Sequence, residues 1–254
     1  MAEFSSEYLT LEQRDGVAVL GLNRPEKRNA VDAGFIDDIH RFFYDPPEGT
    51  RAVLLHGQGD HFCAGLDISE LKVQGVEAAQ AMSRKWHRTF ELIQLGGIPV
   101  IAALKGFVFG GGLELAASTH VRVAEPSAVY QLPEVGLGIF PGGGASVRVS
   151  RIVGSGRCVE MMLTARRVAA DEGQTLGLSH YLVGDGEGFD KALELAIGIA
   201  RNPVFANATI VNAVNRIGDM SGSDGLYVES LASALTAVSE EAQERISGFL
   251  NRRE

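Results

Sequence analysis

Cysteine, net positive charge and long apolar runs are all scarce in this chain of 254 residues. Its two cysteines, Cys63 and Cys158, lie far apart and belong to no CxxC or Cys/His cluster. Neither a disulfide framework nor a zinc site is therefore predicted, and both thiols are expected to be buried. Acidic residues outnumber basic ones by 32 to 23, so the net charge is −9. This balance argues against a nucleic-acid partner.

The longest apolar run, residues 98–104, ends at Lys105 and is too short to cross a bilayer. The first ten residues have neither the basic start nor the apolar stretch of a signal peptide. We therefore expect a cytoplasmic protein with no membrane partner. Hydrophobic residues make up 45% of the chain, which is ordinary for a globular protein, and the length suits one large domain with at most a short appendage.

Short apolar strands alternate with helical patterns through most of the chain. Alternation over residues 8–13 and 17–20, separated by Asp15-Gly16, predicts a β-hairpin. Asp32 is the predicted N-cap of a helix, and a long helix is predicted over Val76 to Leu95. Alternating elements of this kind indicate an α/β fold with buried strands.

From about Gly188 onward the pattern is helical only. Asn202-Pro203 is the predicted boundary between a core, residues 1–201, and a C-terminal helical region, residues 202–254. About 50 residues rarely make a core of their own. The C-terminal region is therefore expected to pack on the main domain or on another subunit.

The glycine-rich stretches do not carry nucleotide-binding or serine-hydrolase motifs. Pro141 stands where the third glycine of a dinucleotide fingerprint belongs, and no segment reads GxxxxGK[ST]. The sequence around Ser146 lacks the closing glycine of a nucleophile elbow. By contrast, Gly110–Gly112 follows a predicted strand and precedes an apolar helix, so its N–H groups could bind an oxyanion. A glycine turn needed only for close packing is the alternative.

Four glycine- and proline-containing motifs follow one another along the chain: Asn23-Arg24-Pro25 with Asn29-Ala30, then residues 62–68 (FCAGLDI), residues 110–115 (GGGLEL), and residues 132–135 (LPEV) with residues 138–142 (GIFPG). In this order and spacing they resemble the motifs of the enoyl-CoA hydratase (crotonase) superfamily. The resemblance covers about residues 8 to 185. It implies a spiral of repeated ββα units followed by a C-terminal helical trimerisation region, and a homotrimer or dimer of trimers.

The resemblance implies that the substrate is an acyl-CoA thioester and that no metal or redox cofactor is needed. The activity expected is addition of water to a 2-enoyl-CoA, giving the 3-hydroxyacyl-CoA. An enoyl-CoA isomerase or an acyl-CoA hydrolase is the alternative within the superfamily, and a catalytically silent CoA-binding protein is the alternative outside enzymes.

Site residues follow by position within these motifs. The implied catalytic carboxylates are Glu114, which activates water, and Glu134, which protonates the α-carbon. The implied oxyanion donors are the backbone N–H groups of Ala64 and Gly111. The residues expected to bind the CoA portion are Lys27, Arg28, Ala30, Ala64, Gly65, Asp67, Ile68 and Gly111, together with Phe249 and Arg252 of a neighbouring subunit.

Several of these assignments have alternatives. Asp67 can cap the segment that follows it, Lys27 and Arg28 can belong to a solvated loop, and the chain end can be frayed. Trp86 and His87, in the long helix, either line the acyl pocket or are a core residue and a solvated one. Dehalogenation is disfavoured because residues 141–144 contain no carboxylate.

Overall fold

Two β-sheets organise the chain, which the computed structural model describes over residues 4–70 and 75–251. Apart from its first strand the larger sheet is parallel, so helices supply its crossover connections. Its strands are, in spatial order, β1 (Leu9–Arg14), β2 (Val17–Leu22), β3 (Ala52–Gly57), β4 (Val100–Leu104), β6 (Val121–Ala124) and β9 (Tyr181–Leu182). The smaller sheet contains β5 (Phe107–Phe109), β7 (Val129–Gln131) and β8 (Val168–Ala169).

The first hairpin forms as the sequence predicts. Strands β1 and β2 pair antiparallel with Arg14 opposite Val17, and Asp15 and Gly16 occupy the turn. Both turn residues have positive φ, which two-residue hairpin loops of type I′ require.

The helices also agree with the predicted pattern. The Asp32 carboxylate accepts a hydrogen bond from the Phe35 N–H at 2.9 Å, which confirms the predicted N-cap. The long helix runs from Val76 to Leu95, with the predicted bounds. Within the described residues, none of the helices is long and apolar enough to cross a membrane. The helices are α1 (Ala33–Tyr44), α2 (Val76–Leu95), α3 (Gly111–Ser118), α4 (Ala145–Val153), α5 (Ser155–Thr164), α6 (Ala170–Thr175), α7 (Gly188–Ala200), α8 (Val204–Ile217), α9 (Gly222–Ala237) and α10 (Glu240–Leu250).

Helices cover both faces of the larger sheet. On one face, α7 packs through three alanines, Ala192, Ala196 and Ala200, which allow close approach to the strands. The other face carries the main core, which includes α1 residues such as Phe35 and side chains from α2 and α3. Both cysteines are buried and unpaired, as predicted.

The C-terminal helices leave an apolar surface exposed. Helix α7 ends at Ala200 and α8 begins at Val204, so the predicted boundary falls in the connection between them, and the division into two domains stays a prediction. Helix α8 packs on α2, and α9 packs on α8. Exposed apolar side chains on α8, α9 and α10 include Phe205, Ile210, Val214, Leu226, Tyr227, Leu231, Leu235 and Phe249.

Arg24 joins the start of α1 to the segment that follows β3. Its guanidinium lies 3.0 Å from a carboxylate oxygen of Asp32 and 3.0 Å from one of Asp67, and it donates to the Ala30 carbonyl at 3.0 Å. All three charged side chains are largely shielded from water. Loss of one partner would therefore leave buried charges unpaired.

We expect Arg24→Met to lower the free energy of unfolding by about 2–3 kcal/mol, because Asp32 and Asp67 would keep their charges without a counter-charge. Urea unfolding followed by circular dichroism measures this change. Arg157→Met, which removes an exposed ion pair to Glu160, is the matched control and should change stability little. Equal stability of the two variants would contradict a structural role for Arg24.

Candidate active site

One cavity of about 460 Å³ contains both predicted catalytic glutamates. It lies between α2, the N-terminal turn of α3 and the segment from Pro133 to Gly143. Ser83, Glu114 and Glu134 contribute polar side chains to a wall that is otherwise mainly apolar. The larger apolar side chains of the wall are Leu66, Ile68, Met82, Trp86, Leu137, Ile139 and Phe140.

Glu114 lies in the first turn of α3 and is only 2% exposed. Its Oε1 accepts hydrogen bonds from the Gly143 N–H at 2.8 Å and the Ala145 N–H at 2.9 Å. These donors belong to the N-terminal end of α4, where main-chain N–H groups have no partner within the helix. Burial raises the pKa of Glu114, whereas these hydrogen bonds and the charge of Arg148 oppose the rise.

Glu134 has a different environment, although it borders the same cavity. It begins a short 3₁₀ helix, Glu134–Leu137, and its Oε2 is buried without a hydrogen-bond partner among the described residues. Burial, with a contribution from the charge of Glu114, raises the pKa of Glu134 to about 7. This carboxyl group is therefore about half protonated near pH 7.

Glycines allow the main chain to approach these groups closely. Gly110 has a φ of 48°, and a Cβ on it would lie 2.7 Å from Oε1 of Glu134. A Cβ on Gly111 would collide with the Trp86 indole. The close-packing interpretation of this turn is thus correct, and it is compatible with a role in binding, since Gly110 and Gly111 both border the cavity.

The prediction that the Ala64 N–H is an oxyanion donor is wrong. That N–H donates to the Arg28 carbonyl at 2.9 Å, so it is not available to a ligand, although Ala64 does border the cavity. Val31 forms hydrogen bonds on both sides of Leu66: its N–H donates to the Gly65 carbonyl, and its carbonyl accepts from the Asp67 N–H. The N–H of Leu66 itself has no partner among the described residues.

The N–H groups of Leu66 and Gly111 are two free donors at the cavity wall. Gly111 is the first residue of α3, so its N–H has no partner within the helix, and neither donor bonds to another described residue. The Leu66 nitrogen lies 3.5 Å from the place that a Cβ on Gly111 would occupy, so the two segments are in contact. Gly65 permits this approach, since a Cβ there would lie 2.7 Å from the Phe109 carbonyl oxygen.

The residues predicted to bind CoA have different degrees of exposure. Lys27 and Arg28 are exposed on the turn before α1, and the Arg28 guanidinium lies 5.2 Å from the centre of the Phe107 ring. Ala30 is buried, whereas Ile68 is 65% exposed at the cavity.

Asp67 is buried, and its oxygens bind Arg24 and both the N–H and hydroxyl of Ser69, so it caps the segment that follows, as one of the two interpretations predicted. Phe249 is on α10, and Arg252 lies outside the described residues.

Trp86 and His87 have separate surroundings. Trp86 is 6% exposed, packs in the core and also borders the cavity, so both interpretations of this residue hold. His87 is exposed and borders a different cleft, which agrees with its interpretation as a solvated residue. The two side chains diverge because adjacent helical positions are about 100° apart.

The sequence motifs did not reveal the role of the Leu66 N–H. The glycine of the motif GLD is the signal that could have indicated it, since Gly65 has a φ of 90°, which favours glycine, and lies close to the main chain of Phe109. That signal depends on knowing which neighbouring segment pairs with residues 64–67, and the sequence does not show this.

Comparison with known proteins defines the class of protein to which this fold and site belong. The model of the family described as enoyl-CoA hydratase/isomerase matches residues 12–254. The chain belongs to this family, and its fold is the α/β crotonase fold.

Individual relatives agree with this assignment. The chain is 33% identical over 246 residues to the short-chain-enoyl-CoA hydratase of Clostridium acetobutylicum, covering 96% of this chain and 94% of that protein. A crystal structure from Rhodopseudomonas palustris, named provisionally as an enoyl-CoA hydratase, superposes with a TM-score of 0.95 at 44% identity, covering 100% of this chain and 98% of that one. The enoyl-CoA hydratase of Thermoplasma volcanium superposes with a TM-score of 0.89 at 31% identity, with coverages of 97% and 99%.

The raised pKa of Glu134 predicts a pH-dependent effect on stability. A folded-state pKa of about 7, above the usual value of 4.5, means that deprotonation between these pH values penalises the folded state. Stability from this group is therefore lost as pH rises. We expect Glu134→Gln to be more stable than the wild type at pH 8 by about 2 kcal/mol, because the amide cannot ionise, and the difference should vanish below about pH 5.

Chemical unfolding at a series of pH values measures this difference. Glu229→Gln, on the exposed side of α9, removes a solvated carboxylate and is the control. A Glu134→Gln curve parallel to the wild-type curve from pH 5 to pH 8 would show that Glu134 has an ordinary pKa.

Proposed function

We propose that this protein adds water across the double bond of a 2-enoyl-CoA thioester and forms the 3-hydroxyacyl-CoA. The observation that carries the proposal is the arrangement of Glu114, Glu134 and the free N–H groups of Leu66 and Gly111 around one apolar cavity. The names of the relatives as enoyl-CoA hydratases support the same reaction.

The thioester carbonyl oxygen binds the N–H groups of Leu66 and Gly111. Negative charge develops on this oxygen when a nucleophile adds to the β-carbon and an enolate forms. Fixed N–H donors stabilise that charge without reorganisation, and one such donor typically contributes about 10²–10³ in rate. The apolar wall strengthens the interaction because it excludes water.

A water molecule between the two carboxyl groups supplies the remaining atoms. Glu114, held by two N–H groups and near Arg148, takes a proton as the water oxygen bonds to the β-carbon. The electron pair of the double bond moves into the enolate. Glu134, which is partly protonated near neutral pH, then protonates the α-carbon, so the elements of one water molecule are added. The proton that Glu114 has taken up passes to Glu134 before the next turnover, which restores both carboxyl groups.

The alternatives are less compatible with this geometry. An isomerase moves a proton between two carbons and needs one carboxylate, whereas this cavity presents two. A silent CoA-binding protein has no use for a buried carboxyl group whose Oε2 has no partner. Acyl-CoA hydrolysis also uses water, so product analysis must separate it from hydration.

The reaction is tested with a panel of aliphatic and aryl 2-enoyl-CoA esters, by following the conjugated absorbance and the product mass together. Hydration gives a gain of one water with the thioester intact, and hydrolysis releases free CoA. Release of CoA, or no reaction with any ester of the panel, would refute the proposal.

Glu114→Gln and Glu134→Gln should each lower kcat by at least about 10²–10³, while affinity for the CoA ester changes little. An amide keeps the size of the carboxyl group but cannot accept or donate the proton that the reaction needs. Steady-state kinetics and binding of a saturated acyl-CoA measure both quantities, with Glu229→Gln as control. Turnover near the wild-type rate in either variant would rule out the shared-water scheme.

The CoA portion and the oligomeric state are part of the proposal. Lys27 and Arg28 are exposed cations that can pair with CoA phosphates, and the exposed apolar side chains of α8–α10 would be buried in a homotrimer or a dimer of trimers. Arg252 then reaches the CoA bound by a neighbouring subunit. A metal or redox cofactor has no role in this scheme, and a cytoplasmic location stays a prediction.

Removal of residues 246–254 should weaken CoA binding and destabilise the trimer together, since the apolar residues Ile246, Phe249 and Leu250 are lost with Arg252. Arg252→Ala alone should weaken CoA binding in a salt-dependent way and leave assembly intact. Sedimentation and CoA titration measure the two effects, with Arg253→Ala as the charge-matched control. An active monomer, or normal CoA binding by the truncated chain, would contradict the shared site.

A further inference from the structure

Arg148 on α4 reaches the hydrogen-bonding partner of Glu114 without bordering the cavity. Its Nη1 donates to the Gly143 carbonyl at 3.1 Å, and its Nε donates to Oε1 of Gln94 at 2.8 Å. Gly143 in turn donates its N–H to Glu114. A single residue, Gly143, therefore separates the Arg148 guanidinium from the hydrogen bond that fixes the Glu114 carboxylate.

Arg148 is partly buried and forms no ion pair with a described residue. Burial lowers the pKa of Arg148, and the charges of Glu114 and Glu91 oppose that change. An unpaired guanidinium is costly to bury. The carbonyl and amide acceptors offset part of this cost and direct the positive charge toward the back of the Glu114 site.

The second support of Arg148 comes from α2 and α8. Gln94, at the end of α2, donates through Nε2 to Oδ1 of Asn215 at 3.3 Å, and Asn215 Nδ2 lies 3.4 Å from the Gln94 carbonyl. Asn215 belongs to α8, the first helix of the C-terminal region. The orientation of Arg148 is thus fixed by a helix outside the predicted core of residues 1–201.

We propose that Arg148 is a positioning residue that orients the Gly143 peptide and keeps Glu114 as the ionised member of the carboxyl pair. The proposal rests on the function proposed above. It explains which glutamate removes the proton from water: the charge of Arg148 and the N–H groups of Gly143 and Ala145 favour the ionised form of Glu114, whereas Oε2 of Glu134 is buried without a donor among the described residues.

Other charged groups lie near Glu114 and Arg148. Glu134 borders the cavity with Glu114, and its charge acts against that of Glu114. On the far side of Arg148, a shallow cleft is bordered by ionisable side chains from α2, α4, α8 and the segment after α8, and Arg151 in this cleft forms an ion pair with Asp219. These ionisable side chains are His87, Glu91, Arg151, Arg216 and Asp219.

Arg148→Met should lower kcat at least about tenfold and move the acidic limb of the kcat profile to higher pH by roughly half a unit to one unit. Loss of the positive charge disfavours the ionised form of Glu114, so its pKa rises and the base is protonated at a higher pH. The KM should change little, because Arg148 does not border the cavity.

Two further variants separate charge from geometry. Arg148→Lys keeps the charge but loses the planar fork, so it should restore the acidic limb while kcat stays below the wild-type value. Arg151→Met removes a cation from the same helix without contact to Gly143, and it should leave both quantities unchanged. If the acidic limb of the kcat profile lies at the same pH in Arg148→Met as in the wild type, the positioning role is refuted. The proposed function would still stand.

A measurement without substrate tests the same inference. The loss of Tm caused by Arg148→Met should be larger in the wild type than in Glu114→Gln at pH 8, and the difference should disappear at acidic pH, where Glu114 is protonated. Equal losses at pH 8 would overturn the inference even if no ester is hydrated. Arg148→Lys provides the same comparison if Arg148→Met does not fold.

Discussion

The site depends on keeping the carboxylate of Glu114 out of water. A buried carboxylate is unfavourable unless donors and positive charge compensate for its lost hydration. Here the N-terminal end of α4 supplies two N–H groups, and Arg148 stands behind them. The Gly143 turn, the start of α4 and the end of α2 must therefore keep one fixed arrangement, and the cavity takes its shape from that arrangement.

Close approach of main chain to main chain is the second constraint. A Cβ on Gly111 would collide with Trp86, and a Cβ on Gly143 would lie 3.1 Å from the same indole and collide with Glu114. Trp86 fills the space between two glycine segments that carry N–H donors. The apolar ring excludes water there, and the glycines leave their N–H groups uncovered, so packing and chemistry impose the same residue types.

The two glutamates differ through their surroundings, since their side chains are identical. Burial raises the pKa of both, but at Glu114 two short hydrogen bonds and a nearby guanidinium oppose the rise, whereas Oε2 of Glu134 is buried without a donor among the described residues and the pKa of Glu134 is raised to about 7. Such an arrangement separates a base from an acid within one cavity. This arrangement forms only when residues of α3, of α4 and of the segment after β7 come together. Glu114 and Ala145, which are in hydrogen-bond contact, are 31 positions apart in the sequence.

Local pattern and motif in the sequence were enough to predict the hairpin at Asp15-Gly16, helix α2, the family and the glutamate pair, because turn residues, helical periodicity and motif spacing are local properties. Only the tertiary structure showed that Leu66, rather than Ala64, has the free N–H, that His87 lies outside the cavity and that Arg148 supports Glu114. Each of these depends on which distant segment accepts a given hydrogen bond or packs against a given face of a helix. That choice is made by packing between elements, and no single stretch of sequence contains it.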